Sequence, residues 1–178
     1  MKLHFIFDRD GTIIKDMHYL SNPDDVELLP NAKITLHKLK SLGHDLHIHT
    51  NQSGVQRGYF TEKDIESCMQ KMFELLAVSR NFFTSICIST DIDSTNPGTY
   101  RKPSIKFAKE ILNSFNIKKD QIIYVGDRLV DLQTAIDFGC KGFGVNTGRE
   151  RLSNLIPENS KFSNFTILDN LEELLYHI

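Results

Sequence analysis

Short apolar runs alternate along the chain with longer segments in which apolar residues recur every three or four positions. Short runs bounded by turn-forming residues indicate buried strands, whereas the longer period indicates amphipathic helices. The runs predict six strands, at residues 3–7, 45–50, 85–89, 121–125, 142–145 and 166–168. The periodic segments predict five helices, at residues 31–42, 61–79, 102–115, 129–138 and 171–176. This alternation predicts an α/β fold in three layers, with helices on both faces of a doubly wound, mainly parallel sheet.

Several predicted helices carry end signals of their own. Thr61, followed by Asp64 three positions later, is a capping pattern at the start of the second helix. Gly43 and Gly139 stand where two helices are expected to end, because glycine accepts the left-handed backbone found there. Pro103 indicates a helix start, because proline is favoured in the first turn of a helix.

The composition is that of an ordinary globular protein, and it argues against some functions. The chain has 178 residues, 40% of them hydrophobic and 25% charged, which suits one domain over residues 1–178. A formal net charge of −2 gives no general attraction to nucleic acid or to an anionic membrane. No apolar stretch is long enough for a transmembrane helix. Three scattered cysteines without a CxxC pair favour reduced thiols, and we expect a cytoplasmic monomer.

Reactive side chains follow four of the predicted strands. In doubly wound folds, ligands bind beyond the carboxyl ends of the strands, so we expect these side chains to share one cleft. They are Asp8 and Asp10 after the first strand, Thr50 and Asn51 after the second, Lys102 after the third, and Asp127 with Asp131 after the fourth.

This combination of carboxylates and a lysine suits phosphoryl transfer. A phosphate monoester is a dianion that carboxylates repel unless a cation intervenes, and Mg²⁺ prefers oxygen ligands that include one or two carboxylates. Asp8 and Asp127 are placed to hold Mg²⁺, and Lys102 would then neutralise the transferring oxygens. Of Asp8 and Asp10, one can attack phosphorus while the other handles the proton of the leaving group.

These residues, in this order, resemble the four motifs of the haloacid dehalogenase superfamily. Further segments resemble one branch of it, which holds the heptose 1,7-bisphosphate 7-phosphatases and the histidinol-phosphatases. The segments are Phe7 to Ile13, Asp16-x-x-Tyr19, Leu28-Leu29-Pro30, Thr50 to Gly54, Arg57 to Phe60 and Arg101-Lys102-Pro103. The resemblance covers about residues 3–147 and implies a Rossmann-like phosphatase fold. The short gap between Gly11 and Asn31 leaves no room for a cap domain.

The resemblance implies a role for each of these residues. Asp8 would be the nucleophile, and Asp10 the acid that protonates the leaving oxygen and later activates water. Thr50 and Lys102 would stabilise the transferring phosphoryl group. Mg²⁺ would be held by Asp8, the main-chain carbonyl of Asp10 and Asp127, with Asp131 supporting them from behind. Substrate contacts would come from Asp16, Tyr19, Asn51, Gln52, Ser53, Arg57, Arg101 and Arg128.

The implied function is a Mg²⁺-dependent phosphomonoesterase that acts on a small phosphorylated metabolite through an aspartyl phosphate. The favoured reaction removes the 7-phosphate of D-glycero-D-manno-heptose 1,7-bisphosphate. Histidinol phosphate or another small phosphorylated metabolite is an alternative substrate. A catalytically silent domain that binds a phosphorylated ligand is an alternative of another class. A nucleic-acid 3′-phosphatase is disfavoured by the net charge and by the lack of a basic, aromatic tract.

The segment before the Arg-Lys-Pro motif departs from this branch. Most members carry a zinc loop of cysteines and a histidine there, but residues 89–100 contain neither residue type. Cys87 alone cannot form a tetrahedral site. We therefore expect no structural zinc, and a cleft shaped differently on that side.

Some residues have simpler interpretations that need no ligand. Asp131 is also suited to capping a helix, and Arg57 to lying in solvent on a loop. His47 and His49 alternate on one face of a predicted strand, and no third ligand is near in sequence. We expect them to be packed strand histidines and not metal ligands.

Overall fold

The computed structural model describes residues 1–178, in which six strands form a single sheet. The strands are β1 (His4–Phe7), β2 (Asp45–Asn51), β3 (Ser85–Ser89), β4 (Ile122–Gly126), β5 (Lys141–Val145) and β6 (Thr166–Leu168). Each lies within one residue of its predicted position at either end. The short apolar runs were sufficient to find them, because strands buried on both faces need no polar alternation.

Five α-helices and four short 3₁₀ helices connect the strands. The α-helices are α1 (Ala32–Ser41), α2 (Glu62–Leu76), α3 (Lys106–Phe115), α4 (Leu129–Phe138) and α5 (Leu152–Leu155). The 3₁₀ helices are Pro23–Asp25, Arg80–Phe82, Lys119–Gln121 and Leu171–Tyr176. The prediction of a helix at 171–176 was right in place, although it is a 3₁₀ helix, and α5 was not predicted. None of these helices combines the length and apolar character needed to cross a bilayer.

The sheet is parallel throughout, in the order β3-β2-β1-β4-β5-β6. Strand β1 therefore lies between β2 and β4, with Phe7 beside Ile48 on one side and Val125 on the other. The chain order reverses direction across β1, so the carboxyl ends of β1 and β4 border the topological switch point where such folds bind ligands.

Side chains on β1 alternate between two hydrophobic layers. Phe5 and Phe7 pack in the larger cluster with residues of α1 and α2, whereas Ile6 packs with residues of α3 and α4 on the opposite face. This alternation follows from the two-residue period of a strand. The predicted three-layer fold is confirmed.

The ends of two helices differ from their predicted positions. Helix α2 has the predicted capping box between Thr61 and Asp64, but it ends at Leu76 because Ala77 adopts a left-handed conformation with φ of 58°. Helix α3 begins at Lys106, so the predicted start at residue 102 was wrong. The Asn51 amide binds both the N–H and the C=O of Lys102, at 2.9 and 3.2 Å, which holds this segment outside the helix.

The segment between β1 and α1 is compact and mostly irregular. The Lys15 N–H donates to the Glu27 carbonyl, and the Leu29 N–H donates to the Ile13 carbonyl at 3.0 Å. These main-chain bonds fold the segment back on itself, so that its two ends lie side by side. Its only helix is the three-residue 3₁₀ turn Pro23–Asp25. The absence of a cap domain and the single domain over residues 1–178 stay predictions.

His47 and His49 are fully buried on β2, as expected for packed strand histidines. His49 lies between the Tyr124 hydroxyl, 3.1 Å from Nδ1, and the Tyr100 carbonyl, 2.7 Å from Nε2. A carbonyl only accepts, so Nε2 must carry the proton and Nδ1 accepts from Tyr124. Burial lowers the pKa of each histidine to about 3, helped by the charge of His4 at His47 and of Lys102 at His49.

These lowered pKa values predict that the fold loses stability in mild acid. Both histidines are neutral in the folded state, because burial disfavours their charged form. Their contribution to the free energy of unfolding is therefore fully present above the unfolded pKa of about 6.5 and is lost as pH falls toward 3. We expect the free energy of unfolding to fall by about 2 kcal/mol for each histidine between pH 7 and pH 5, because the unfolded chain gains protons there and the folded protein does not. Urea unfolding at several pH values measures this loss. It should be smaller in His49→Gln than in the exposed control His177→Gln, and equal losses in both would contradict the assignment.

Candidate active site

Three carboxylates and one ammonium group meet at the carboxyl end of the sheet. Asp8 follows β1, Asp127 follows β4, and Asp131 lies in the first turn of α4. Carboxylate oxygens of these three residues lie within 4.8 Å of one another. Lys102 joins them with Nζ 2.9 Å from Asp8 Oδ1 and 2.6 Å from Asp131 Oδ1. The predicted gathering of strand-end groups is therefore present.

Hydrogen bonds with main-chain groups hold both the backbone and the carboxylate of Asp8 at the end of β1. Its N–H donates to the Val125 carbonyl at 2.9 Å, and its Oδ1 accepts the Arg9 N–H at 2.8 Å. The side chain is 9% exposed, and Asp8 lies on the wall of the cleft described below. Its fixed, partly accessible carboxylate has the placement that a nucleophile requires.

Lys102 and Asp131 form a buried ion pair. Both side chains are at most 2% exposed. Burial alone would lower the pKa of Lys102, but the charges of Asp131 and Asp8 outweigh it and raise that pKa. Asp131 also accepts the Arg128 N–H at 3.1 Å, which caps α4. The simpler interpretation of Asp131 as a helix cap is thus correct, and the residue fixes Lys102 as well.

Asp127 is the least compensated of the three carboxylates. It is 3% exposed, and its Oδ1 has no hydrogen-bond partner in the protein. Burial, with the charges of Asp8 and Asp131, raises the pKa of Asp127 well above its usual range. A buried, unpaired carboxylate oxygen beside a second carboxylate favours a cation at this position.

Two glycines make room for Asp127. A Cβ on Gly11 or on Gly148 would overlap the Asp127 carboxylate. Gly11 also has a φ of 81°, a left-handed conformation that residues with a Cβ adopt at a cost. The turn after Asp10 therefore requires glycine for two independent reasons.

Gly11→Ala should separate backbone strain from damage to the site. Gly43 is a matched control, because its φ is 87° and a Cβ there would meet nothing within 4 Å. We expect Gly43→Ala to lose about 1 kcal/mol of unfolding free energy without loss of turnover. We expect Gly11→Ala to lose about 10²-fold in turnover as well, because it displaces Asp127. Urea unfolding and phosphate release measure the two effects, and equal turnover in the two variants would contradict this packing.

The Asp10 side chain lies outside the group of three carboxylates and has partners of its own. Arg9 donates to both of its oxygens, from Nε to Oδ2 and from Nη2 to Oδ1, each at 3.0 Å. Gln52 Nε2 donates to Asp10 Oδ2 at 2.7 Å and also lies 2.8 Å from Thr50 Oγ1. Thr50, predicted to contact the phosphoryl group, is therefore linked to Asp10 through Gln52.

A cleft of about 300 Å³ opens above these groups. All twelve residues predicted to be catalytic or substrate-binding line it: Asp8, Asp10, Asp16, Tyr19, Thr50, Asn51, Gln52, Ser53, Arg57, Arg101, Lys102 and Arg128. The structure adds five that were not predicted: His18, Leu20, Gly54, Phe60 and Val130. His18, Gly54 and Phe60 lie within segments that carry the family resemblance, whereas nothing in the sequence marked Leu20 or Val130, which only the folded chain brings to the wall.

Three arginines line the walls of the cleft: Arg57, Arg101 and Arg128. Arg128 donates to Asp16 Oδ2 at 2.5 Å, an ion pair that fixes both predicted substrate residues. Burial and the charge of Arg57 lower the pKa of Arg101, with a smaller contribution from Arg128. The three arginines therefore share one electrostatic environment that suits an anion.

The loop over residues 90–101 shapes one wall through hydrogen bonds. Thr99, which is 3% exposed, donates its hydroxyl to Asp91 Oδ2 and accepts the Arg101 N–H at 2.9 Å. Arg101 Nη1 donates to the Asp91 carbonyl at 3.0 Å. Ile92 N–H donates to Gln56 Oε1 at 2.6 Å, which joins this loop to the opposite wall.

Comparison with known proteins agrees with this site. The family model described as polynucleotide kinase 3 phosphatase matches residues 4–141. A Thermoplasma volcanium protein, named probable D-glycero-D-manno-heptose-1,7-bisphosphate 7-phosphatase, is 38% identical over 130 residues, covering 72% of this chain and 86% of that protein. The chain belongs to the haloacid dehalogenase-like phosphatases.

Other relatives of the phosphatase cover almost its whole length. A D-glycero-beta-D-manno-heptose-1,7-bisphosphate 7-phosphatase of Neisseria meningitidis is 30% identical over 177 residues, covering 95% of this chain and 92% of that one. A crystal structure of D,D-heptose 1,7-bisphosphate phosphatase from B. bronchiseptica, complexed with magnesium and phosphate, has a TM-score of 0.81. It is 27% identical and covers 100% of both chains. The phosphatase is therefore a phosphoric monoester hydrolase.

Proposed function

We propose that this phosphatase removes the 7-phosphate of D-glycero-D-manno-heptose 1,7-bisphosphate in a Mg²⁺-dependent reaction through an aspartyl phosphate on Asp8. The observation that carries the proposal is the buried group of Asp8, Asp127, Asp131 and Lys102 beneath an arginine-lined cleft. Its carboxylates supply a nucleophile and metal ligands, and its ammonium group offsets the charge of the substrate.

The residues present fit a Mg²⁺ ion. Asp8 and Asp127 offer carboxylate oxygens, and Asp127 Oδ1 has no protein partner to replace. Asp131 is already bonded to Lys102 and to the start of α4, so it supports the site without ligating directly. We propose Asp8, Asp127 and the Asp10 carbonyl as ligands. When bound, Mg²⁺ would supply positive charge that lets an anionic phosphate approach these carboxylates.

The chain's own residues account for both halves of the reaction. Asp8 attacks phosphorus, the bond to the leaving oxygen breaks, and Asp10 gives that oxygen a proton. Water then attacks the phosphorus of the aspartyl phosphate, and the bond between phosphorus and the Asp8 oxygen breaks. Asp10 takes a proton from the attacking water, so phosphate is released, and Asp8 and the protonated form of Asp10 are restored. Lys102 and Thr50 hold the transferring oxygens. Dividing the displacement in this way replaces one difficult step by two easier ones.

A bisphosphate substrate fits the distribution of charge in the cleft. Lys102 lies at the floor beside Asp8, whereas Arg57, Arg101 and Arg128 line the walls. The first phosphate would meet Asp8, and the second would meet the arginines, which bind phosphate oxygens with two parallel hydrogen bonds. The relatives named above are heptose bisphosphate phosphatases, which favours the same substrate.

A second candidate follows from the family model, whose description names a polynucleotide 3′-phosphatase. The partly exposed ring of Tyr19 lies on the cleft wall, with the ring of Tyr59 packed edge to face against it at a centroid distance of 4.6 Å, and a base could stack on the exposed surface of this pair. The formal net charge of −2 and the absence of a basic tract still weigh against a nucleic acid.

A substrate panel tests the proposal. Phosphate release is measured with Mg²⁺ or with EDTA from heptose 1,7-bisphosphate, heptose 1-phosphate, histidinol phosphate and a 3′-phosphorylated oligonucleotide. We expect Mg²⁺-dependent turnover that is fastest with the bisphosphate. Faster turnover of histidinol phosphate or of the oligonucleotide would reverse the substrate assignment. Binding without turnover of any of them would support a silent domain.

We further propose that the phosphatase has no structural zinc, because hydrogen bonds hold the loop over residues 90–101. The bonds from Thr99 and Arg101 to Asp91 connect its two ends. Metal analysis of the purified protein should find no stoichiometric zinc, and a chelator should leave the unfolding temperature unchanged in the absence of Mg²⁺. One zinc per chain would contradict this proposal.

A further inference from the structure

Arg9 is a buried arginine whose side-chain hydrogen bonds all go to one neighbour. It is 1% exposed, and its guanidinium binds both oxygens of Asp10 at 3.0 Å. The remaining nitrogen, Nη1, has no hydrogen-bond partner. Arg9 does not line the cleft, so it has no access to substrate.

Burying the Arg9 guanidinium costs desolvation free energy, which its bonds to Asp10 offset only in part. A guanidinium removed from water loses its hydration, and one of its nitrogens regains nothing here. The two-pronged contact fixes the plane and the direction of the Asp10 carboxylate, because both of its oxygens are held at once. Gln52 donates one further bond to Asp10 Oδ2 at 2.7 Å, but a single donor does not fix the plane of a carboxylate. Arg9 therefore restricts Asp10, an acidic side chain of the cleft that is not part of the Asp8, Asp127 and Asp131 group.

We infer that Arg9 is a positioning residue that acts through Asp10 in both proton transfers. This inference rests on the proposed function, in which Asp10 first gives a proton to the leaving oxygen and then takes one from the attacking water. Proton transfer depends on heavy-atom distances near hydrogen-bond length, so a rotated Asp10 transfers slowly in either direction. The Arg9 side chain does not line the cleft and bonds to Asp10 alone, so its effect exists only while Asp10 is present.

A double-mutant cycle tests this dependence. We expect Arg9→Gln to lower kcat by about 10²-fold with little change in KM, because Asp10 is misplaced but substrate contacts remain. In the Asp10→Asn background, the same change should alter kcat by less than about threefold. Arg9→Lys keeps the charge but not the two-pronged contact, and should fall between Arg9→Gln and the wild type. The substrate is the fastest one in the panel above.

The controls separate positioning from general damage. Arg80→Gln removes an exposed ion pair with Glu66 and should leave kcat unchanged. Thermal unfolding of each variant shows whether it is folded. If Arg9→Gln does not fold, Arg9→Lys takes its place in the cycle. Equal losses in the wild-type and Asp10→Asn backgrounds, or no loss in the wild-type background, would overturn the inference. Failure of the proposed function itself is distinct, because the unmodified protein would then show no turnover.

Discussion

Asp8→Asn is expected to abolish phosphate release, with kcat reduced by at least about 10³-fold, and to leave the fold intact. The amide has the same shape as the carboxylate and can still accept the Arg9 N–H. It carries no charge, however, so it neither attacks phosphorus nor supports Mg²⁺. Phosphate release with saturating substrate and Mg²⁺ measures the loss.

The same substitution should not destabilise the protein when Mg²⁺ is absent. The charge of Asp8 is one of the causes that raise the pKa of Asp127, so removing it relieves repulsion between buried carboxylates. Lys102 keeps its 2.6 Å contact with Asp131. Asp137→Asn, an exposed change on α4, is the matched control and should alter neither activity nor stability. Residual turnover of Asp8→Asn above about 10% would show that another group is the nucleophile.

Lys102→Met should cause the largest loss of stability of any single change in the site. Methionine fills a similar volume, but Asp8 and Asp131 would then lie together in a buried site without a compensating charge. Breaking a buried ion pair by removing one partner costs about 3–5 kcal/mol. We expect that decrease in the free energy of unfolding in EDTA, together with loss of turnover.

An exposed arginine of the same cleft provides the comparison for Lys102. Arg57→Met removes a positive charge near the substrate but breaks no buried pair, so its stability should change by about 0.5 kcal/mol or less. Urea unfolding of both variants in EDTA measures the difference. If Lys102→Met is within about 1 kcal/mol of the wild type, the compensating role of Lys102 is wrong.

The strands and the strand-end residues were predictable because both follow from local sequence. An apolar run such as residues 121–125 has few alternatives to a buried strand, and parallel strands place their carboxyl ends at one edge. The start of α3 was not predictable. Pro103 favours a helix start, but Asn51, distant in sequence, binds the backbone of Lys102 and delays the helix to Lys106.

Arg9 was missed, although the sequence does carry a signal for it. Arg9 stands two positions after the apolar run of residues 3–7, so it is expected close to the buried end of that strand. A buried charge needs a partner, and the sequence offers Asp8 and Asp10 on either side of Arg9; the structure pairs its side chain with Asp10. The cleft residues Leu20 and Val130 had no comparable signal, because only the folded chain brings them to the wall.

The central claim is that a phosphoryl group is transferred to Asp8, and trapping it tests that claim most directly. The fastest substrate is mixed with Mg²⁺ and, in parallel, with the unmodified protein and with Asp10→Asn, and the reaction is stopped with acid during turnover. Mass spectrometry of the peptide that contains Asp8 should then show a phosphoryl group, and Asp8→Asn should show none. An unmodified Asp8 peptide during observed turnover, or a phosphoryl group on another residue, would contradict the proposed mechanism.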